Sequence, residues 1–185
     1  MKRRMLMSVS LVAMGIFLLG TAPVAIAGHE IVGSPKCKMC HKKVKTGDQW
    51  NKWLESSHAK AYETLASDES KKIAADKGLG DPQKEASCLK CHTTTGFLGA
   101  DVAVAAKGKY VITEGVGCEA CHGAGSDYKK KSVMVDPEAS KAAGLEMHAS
   151  AEHCVKCHNE ESPTFKGFDF DKRWEEIAHP VSAEK

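Results

Sequence analysis

The cysteines of this 185-residue chain follow a single pattern. All eight fall into four pairs with two intervening residues, and a histidine directly follows the second cysteine of each pair. Two thiols at this spacing can form thioethers with the two vinyl groups of one porphyrin, and the adjacent imidazole can then bind the iron. The pattern therefore predicts four covalently bound haems c. The predicted attachment residues are Cys37, Cys40, Cys88, Cys91, Cys118, Cys121, Cys154 and Cys157, and the predicted proximal iron ligands are His41, His92, His122 and His158.

Disulfide bonds and zinc sites are the alternatives for paired cysteines in such a chain. Neither requires a histidine after every second cysteine. At a histidine frequency of 9 in 185, four such coincidences have a probability of about six in a million if positions are independent. The spacing therefore favours haem attachment over both alternatives.

The N-terminal segment has the features of a secretory signal. A basic start at Met1–Arg4 precedes the uncharged apolar stretch Met5–Gly20, and Ala25–Ala27 offers a small-x-small cleavage site. We predict a signal peptide at residues 1–27, cleaved after Ala27, and a periplasmic tetrahaem domain at residues 28–185. Membrane association is expected only if the leader stays attached as an anchor. Removal of its three basic residues changes the formal net charge from +2 to −1.

Composition indicates how such a chain would fold. Only 6% of the residues are aromatic, so large side chains cannot fill a conventional core, and four porphyrins would supply the missing apolar surface. We predict a mainly α, loop-rich domain organised around four haems, with little or no sheet. Lys109–Thr113 has strand-like composition but is too isolated to form a sheet. The net charge is weak, and we identify no basic block beyond Lys129–Lys131. Both observations argue against a nucleic-acid partner.

Five histidines lie outside the motifs and are the candidates for distal iron ligands. His58 lies in Asp48–Leu65, a segment with helical periodicity, and it shares a face with Leu54, Ala61 and Leu65. An imidazole on the buried face of a haem-filled domain favours a ligand role. His58 is therefore the first distal ligand that we predict.

The other histidines differ in their surroundings. His179 follows the amphipathic segment Asp169–Ala178, and His148 follows a helix expected to open at Asp136-Pro137, so both are predicted distal ligands. His29, the second mature residue, is a further distal candidate. His153 directly precedes Cys154, which restricts its reach. Ligation by two histidines favours low reduction potentials.

Four further parts of the chain match one known pattern: Trp53 with Ser57–Ala61 and Leu65, then Gly115–Gly125, then Ser162-Pro163, and then Phe168–Asp171 leading to His179. With these segments the chain resembles the cytochrome c-554 family of tetrahaem electron carriers. The resemblance implies periplasmic electron transfer, stacked and perpendicular haem pairs, and one five-coordinate haem. The family has a distal histidine shortly after the third attachment site, where this chain has Lys131-Ser132, so His29 or His148 would have to be the sixth ligand of one haem, the first.

These observations predict an electron carrier with no catalytic residues and with transient redox partner proteins. Two alternatives stay open. One is a reductase of nitric oxide or hydroxylamine at a five-coordinate haem, although no motif has lysine in place of its histidine. The other is a subunit of an outer-surface haem assembly, and the sequence leaves oligomeric state undecided.

Overall fold

A computed structural model describes residues 29–99, 109–147 and 150–179. The predicted signal peptide (residues 1–27) and His148 lie outside these ranges. Within them the chain is helical and contains no strand, which confirms the predicted mainly α class. The helices are α1 (Lys38–His41), α2 (Gln49–Glu55), α3 (Ala61–Thr64), α4 (Asp68–Asp76), α5 (Ala86–His92), α6 (Thr94–Leu98), α7 (Cys118–His122), α8 (Lys131–Met134), α9 (Pro137–Ala142), α10 (Ala151–Cys154) and α11 (Phe170–Ile177), with 3₁₀ turns at Ser34–Lys36, Val44–Thr46 and Ile112–Glu114.

Capping residues fix the starts of the helices that the sequence predicts best. The Ser67 hydroxyl accepts a hydrogen bond from the Ser70 backbone N–H at the start of α4. The Asp136 carboxylate caps α9, whose first residue is proline, and the Asp169 carboxylate caps α11. Each cap supplies an acceptor to backbone donors that have no partner inside the helix. The helices predicted to open at Asp136-Pro137 and to lie within Asp169–Ala178 are therefore confirmed.

The predicted continuous helix over Asp48–Leu65 is wrong, because the chain leaves helical geometry between α2 and α3. Ser56 adopts an extended conformation, and both its backbone N–H and its hydroxyl donate to the Trp53 carbonyl. A serine hydroxyl that occupies this carbonyl competes with helix continuation. His58 consequently lies in the turn between α2 and α3, and Leu54 on the predicted buried face is 48% exposed.

The strand-like segment is also not a strand. Lys109 donates one backbone hydrogen bond to the Val32 carbonyl at 2.8 Å, and Ile112–Glu114 then turns into a 3₁₀ helix. Among the described residues this is the one backbone bond between the two segments, and it forms no ladder that could sustain a sheet.

The apolar core is small, as the composition predicts. Its buried members are Ile31, Val32, Trp50, Leu65, Ala74, Ala120 and Tyr128. Polar side chains are buried beside them, and these participate in the site described below. No helix in the described ranges has the length and apolar character needed to cross a membrane.

Candidate haem sites

Each of the four motifs begins on or beside a short helix. The motif histidine closes α1, α5 and α7, while α10 ends at Cys154 and His158 follows in a turn whose N–H still bonds the Cys154 carbonyl at 3.0 Å. One helical turn places residues three apart on the same face, so both cysteines of a motif can reach one porphyrin. The local fold therefore suits thioether attachment at all four motifs.

Cysteines from different motifs lie close together. Cys37 of the first motif lies near Cys118 of the third, and Cys91 of the second lies near Cys157 of the fourth, so the thiols of each pair interact electrostatically. Cys121 of the third motif interacts electrostatically with Cys154 of the fourth. The motifs thus form one continuous row in the order first, third, fourth, second.

His58 faces the proximal histidine of the fourth motif. The ring centroids of His58 and His158 are 6.1 Å apart at an interplanar angle of 63°. An imidazole nitrogen binds a metal at about 2.0–2.1 Å, so two rings on opposite sides of one metal have centroids about 6 Å apart. Burial, and then the nearby His158, lower the pKa of His58. A neutral imidazole is the form that binds a metal, so the pair fits an iron between its rings.

A second pair is formed by His122 and His179, with centroids 5.9 Å apart at 68°. The Nδ1–H of His122 donates to the Glu146 carbonyl at 2.8 Å, and the Nδ1–H of His179 donates to the Ile177 carbonyl at 2.9 Å. Such bonds fix the tautomer in which Nε2 carries the lone pair and fix the orientation of the ring. This pair also fits a metal ion between its rings.

The histidines of the first and second motifs each have an oxygen atom near Nδ1, as His122 does. The Nδ1–H of His92 donates to the Ala61 carbonyl at 2.6 Å, and His41 Nδ1 lies 3.4 Å from Gln49 Oε1. Within the part of the chain that the structure describes, no histidine ring faces either of them.

The two remaining described histidines make contacts of other kinds. His29 Nδ1 lies 2.7 Å from the Asp127 carboxylate, which lowers the pKa of Asp127, and its ring lies against Gly144. The Nε2–H of His153 donates to the Ala120 carbonyl at 3.2 Å, and its ring lies 5.1 Å from that of Phe97. Distal ligation by His29 stays a prediction, as it does for His148 outside the described ranges.

The segment Gly115–Gly117, before the third motif, positions His58. The Val116 N–H donates to the His58 carbonyl at 3.0 Å, and the Trp53 indole N–H donates to the Val116 carbonyl at 2.8 Å. Gly115 has a φ of +72°, and a Cβ there would lie 2.6 Å from the His58 carbonyl oxygen. The absence of a side chain at Gly115 therefore lets the backbone of the His58 turn approach closely.

A buried carboxylate inside the third motif joins it to the start of the domain. Glu119 is 1% exposed, and its oxygens accept hydrogen bonds from the backbone N–H groups of Val32, Gly33 and Gly125 at 2.6–3.1 Å. Charged acceptors of this kind form strong hydrogen bonds. Glu119 therefore fixes the segment that leads into the first motif.

Glu114 and Ser34 form a second contact between the same two motifs. The Ser34 hydroxyl donates to Glu114 at 3.0 Å and accepts from the Cys118 N–H at 3.1 Å. Burial raises the pKa of Glu114 to about 7, against the hydrogen bonds from Ser34 and with a smaller contribution from Glu119. Glu114, Glu119 and Ser34 were not predicted as functional residues from the sequence. The sequence signal for Glu119 is an acidic residue between the two cysteines of a motif, next to Ala120.

Together, the helical frame, the cysteine pairs suited to thioethers and the facing imidazoles define a c-type cytochrome. A family model described as "Cytochrome c554 and c-prime" matches residues 36–123. The chain is also 31% identical over 186 residues to cytochrome c-554 of Nitrosomonas europaea, covering 89% of this chain and 73% of that protein. No solved structure matches the chain significantly. The chain therefore belongs to the cytochrome c-554 family, whose cofactor is covalently bound haem c.

Proposed function

We propose that the chain is an exported tetrahaem cytochrome that carries electrons between periplasmic or membrane-associated redox partners. The observation that carries the proposal is the continuous row of motifs, in which cysteines of neighbouring motifs lie near one another. Haems attached to such a row lie side by side, so an electron that enters at one motif can pass to the others without leaving the protein. The family relationship supports the same role.

The facing rings support specific ligand pairs. We assign His58 and His158 to the iron of the fourth haem, and His179 and His122 to the iron of the third. Bis-histidine ligation favours the low potentials of a carrier in reductive pathways. His29 and His148 are the proposed distal ligands for the remaining haems, and one haem can stay five-coordinate.

Two measurements on the purified holoprotein test this proposal. Intact mass is expected to equal residues 28–185 plus four haems, and electron paramagnetic resonance of the oxidised protein is expected to show predominantly low-spin ferric iron. A smaller haem complement contradicts the tetrahaem assignment. A high-spin signal that shifts with nitric oxide, together with turnover of nitric oxide or hydroxylamine, favours the reductase alternative.

Substitution of the distal histidines tests the pairings. His58→Ala and His179→Ala should each convert one haem of four from low spin to high spin, since each removes one strong-field ligand. His153→Ala is the matched control, because the Nε2–H of His153 donates to a backbone carbonyl. A high-spin haem in the control, or none in the two test variants, contradicts the assignment.

A further inference from the structure

The surroundings of the first motif are strongly basic. Five lysines occur within ten residues, and no Asp or Glu occurs from Ile31 to Gly47. Cysteines, Met39 and His41 interrupt the lysines, so they do not form a continuous basic block in the sequence. We call these residues the lysine face; they are Lys36, Lys38, Lys42, Lys43 and Lys45, and all are exposed.

The charges of the lysine face have no acidic partner among the residues that the structure describes. Within the described ranges none of its five ammonium groups forms an ion pair, whereas Lys90 of the second motif pairs with Glu161. The Lys38 ammonium lies 5.1 Å from the ring centroid of Trp50, a contact that keeps its positive charge. An exposed cluster of one sign attracts a surface of the opposite sign.

The lysine face also surrounds apolar and cofactor-bearing positions. Met39 is 77% exposed and Val44 is 82% exposed. Among the eight cysteines, Cys40 alone is exposed. An apolar centre with a charged rim is the usual composition of a protein–protein contact. Here that centre includes a point at which a haem is attached.

We propose that the lysine face is the docking surface for an acidic redox protein, which exchanges electrons with the haem of the first motif. This inference rests on the proposed electron-carrier function. In the exchange, a reduced partner loses one electron and one ferric haem iron becomes ferrous. An anionic membrane is the competing occupant. We favour a protein because the face is built on one four-residue helix and 3₁₀ turns, and it offers no amphipathic helix that could lie in a membrane surface.

Charge reversal with a matched control tests the proposal. One variant carries Lys36→Glu, Lys43→Glu and Lys45→Glu, which leaves the motif and the neighbour of His41 unchanged. The control carries Lys129→Glu, Lys130→Glu and Lys131→Glu, at three exposed lysines elsewhere. Both variants change the net charge equally, so only the position of the charge differs. Haem content and the reduction potentials of each holoprotein are measured first, so that rates are compared at known driving force.

The first readout uses small oxidants. Oxidation of the reduced holoprotein by anionic ferricyanide should slow at least about fivefold more in the lysine-face variant than in the control at about 0.01 M ionic strength. Oxidation by cationic hexaammineruthenium(III) should speed up in the same variant. Both differences should vanish at about 1 M salt, where the Debye length is about 3 Å. Equal effects in the two variants overturn the proposal.

The second readout uses proteins and vesicles. Reduction of the holoprotein by a reduced acidic [2Fe–2S] ferredoxin should be about tenfold slower in the lysine-face variant than in the control. Binding to equimolar phosphatidylserine–phosphatidylcholine vesicles is measured for both variants. If the lysine-face variant alone loses this binding while its ferredoxin rate equals that of the control, the face binds a membrane and the proposal is overturned. Failure of the wild-type holoprotein to exchange electrons with any of these reagents contradicts the electron-carrier function itself.

Discussion

The first and third haem-attachment motifs are neighbours in space with opposite surroundings. Both have the pattern Cys-x-x-Cys-His, and Cys37 lies near Cys118. The intervening residues are Lys38 and Met39 in the first motif, where both are exposed, and Glu119 and Ala120 in the third, where both are buried. The cysteines and histidine define the chemistry of a motif, while the two residues between the cysteines decide whether it faces solvent or supports the fold.

The buried motif also supports the exposed one. Glu119 binds the backbone of Val32 and Gly33, shortly before Cys37, and Ser34 bonds the Cys118 N–H. The exposed motif can therefore present lysines that pair with no acidic residue in the described ranges, without losing its position. The following predictions test this division of roles, from the largest expected effect to the smallest.

Exchange of the intervening residues should be tolerated in only one direction. Glu119→Lys with Ala120→Met places an ammonium group and a larger side chain where a buried carboxylate and a buried alanine now lie. We expect a loss of more than about 4 kcal/mol, because the charge has no partner and the site is filled. The yield of soluble holoprotein and its denaturant midpoint measure this loss.

The reciprocal exchange is the control. Lys38→Glu with Met39→Ala should cost about 1 kcal/mol or less, since both side chains are exposed and only the contact of Lys38 with Trp50 is lost. Similar losses in the two exchanges would contradict the division of roles.

Removal of the Glu119 charge alone should have the next largest effect. In Glu119→Gln an amide NH₂ would face backbone N–H donors that now bond a carboxylate, so we expect a loss of about 3 kcal/mol. Denaturant unfolding of the oxidised holoprotein measures it. Glu160→Gln, at an exposed position, serves as the control and should change stability by less than about 0.5 kcal/mol.

Ser34→Ala should cause a smaller loss of stability than Glu119→Gln. It removes one hydroxyl that donates to Glu114 and accepts from the Cys118 N–H, and we expect a loss of about 1–2 kcal/mol. The same unfolding experiment applies, with the exposed Ser87→Ala as control. An unchanged midpoint in Ser34→Ala would show that the Glu114–Ser34 contact does not stabilise the two motifs.

Glu114 should make stability depend on pH. Its pKa of about 7 in the folded protein lies above the ordinary value of 4.5, so the folded state holds a proton that the unfolded state releases. Its contribution to stability is fully present below pH 4.5 and is lost as the pH rises through 7. Glu114→Gln should remove this decline, which thermal unfolding between pH 4.5 and 8 would reveal. Parallel pH profiles of the two proteins would contradict the assignment.

The sequence predicts those features that depend on local chemistry. The motifs follow from thiol spacing, and α9 and α11 follow from periodicity and capping residues. His58 and His179 were predicted as distal ligands because apolar helical segments flank them. The partner of each histidine could not be found this way, because the pairs His58–His158 and His122–His179 join residues far apart in the chain.

Other features escaped prediction because tertiary contacts decide them. The break after α2 depends on the Ser56 hydroxyl and on the Val116 N–H that bonds the His58 carbonyl. The burial of Glu119 depends on backbone donors more than eighty residues away. Composition and periodicity carry no information about such distant partners.

The bonds between Glu119 and the start of the domain also order events during synthesis. Gly33 emerges 86 residues before the carboxylate that holds its N–H. Loops of this length close late relative to local helices, because chain entropy opposes their closure. The first motif is therefore made first but locked into place only after the third has been made. A chain terminated before Glu119 would lack the bonds to Val32 and Gly33 and would hold its first cysteine pair less firmly, open to the haem-attachment machinery and to oxidants alike.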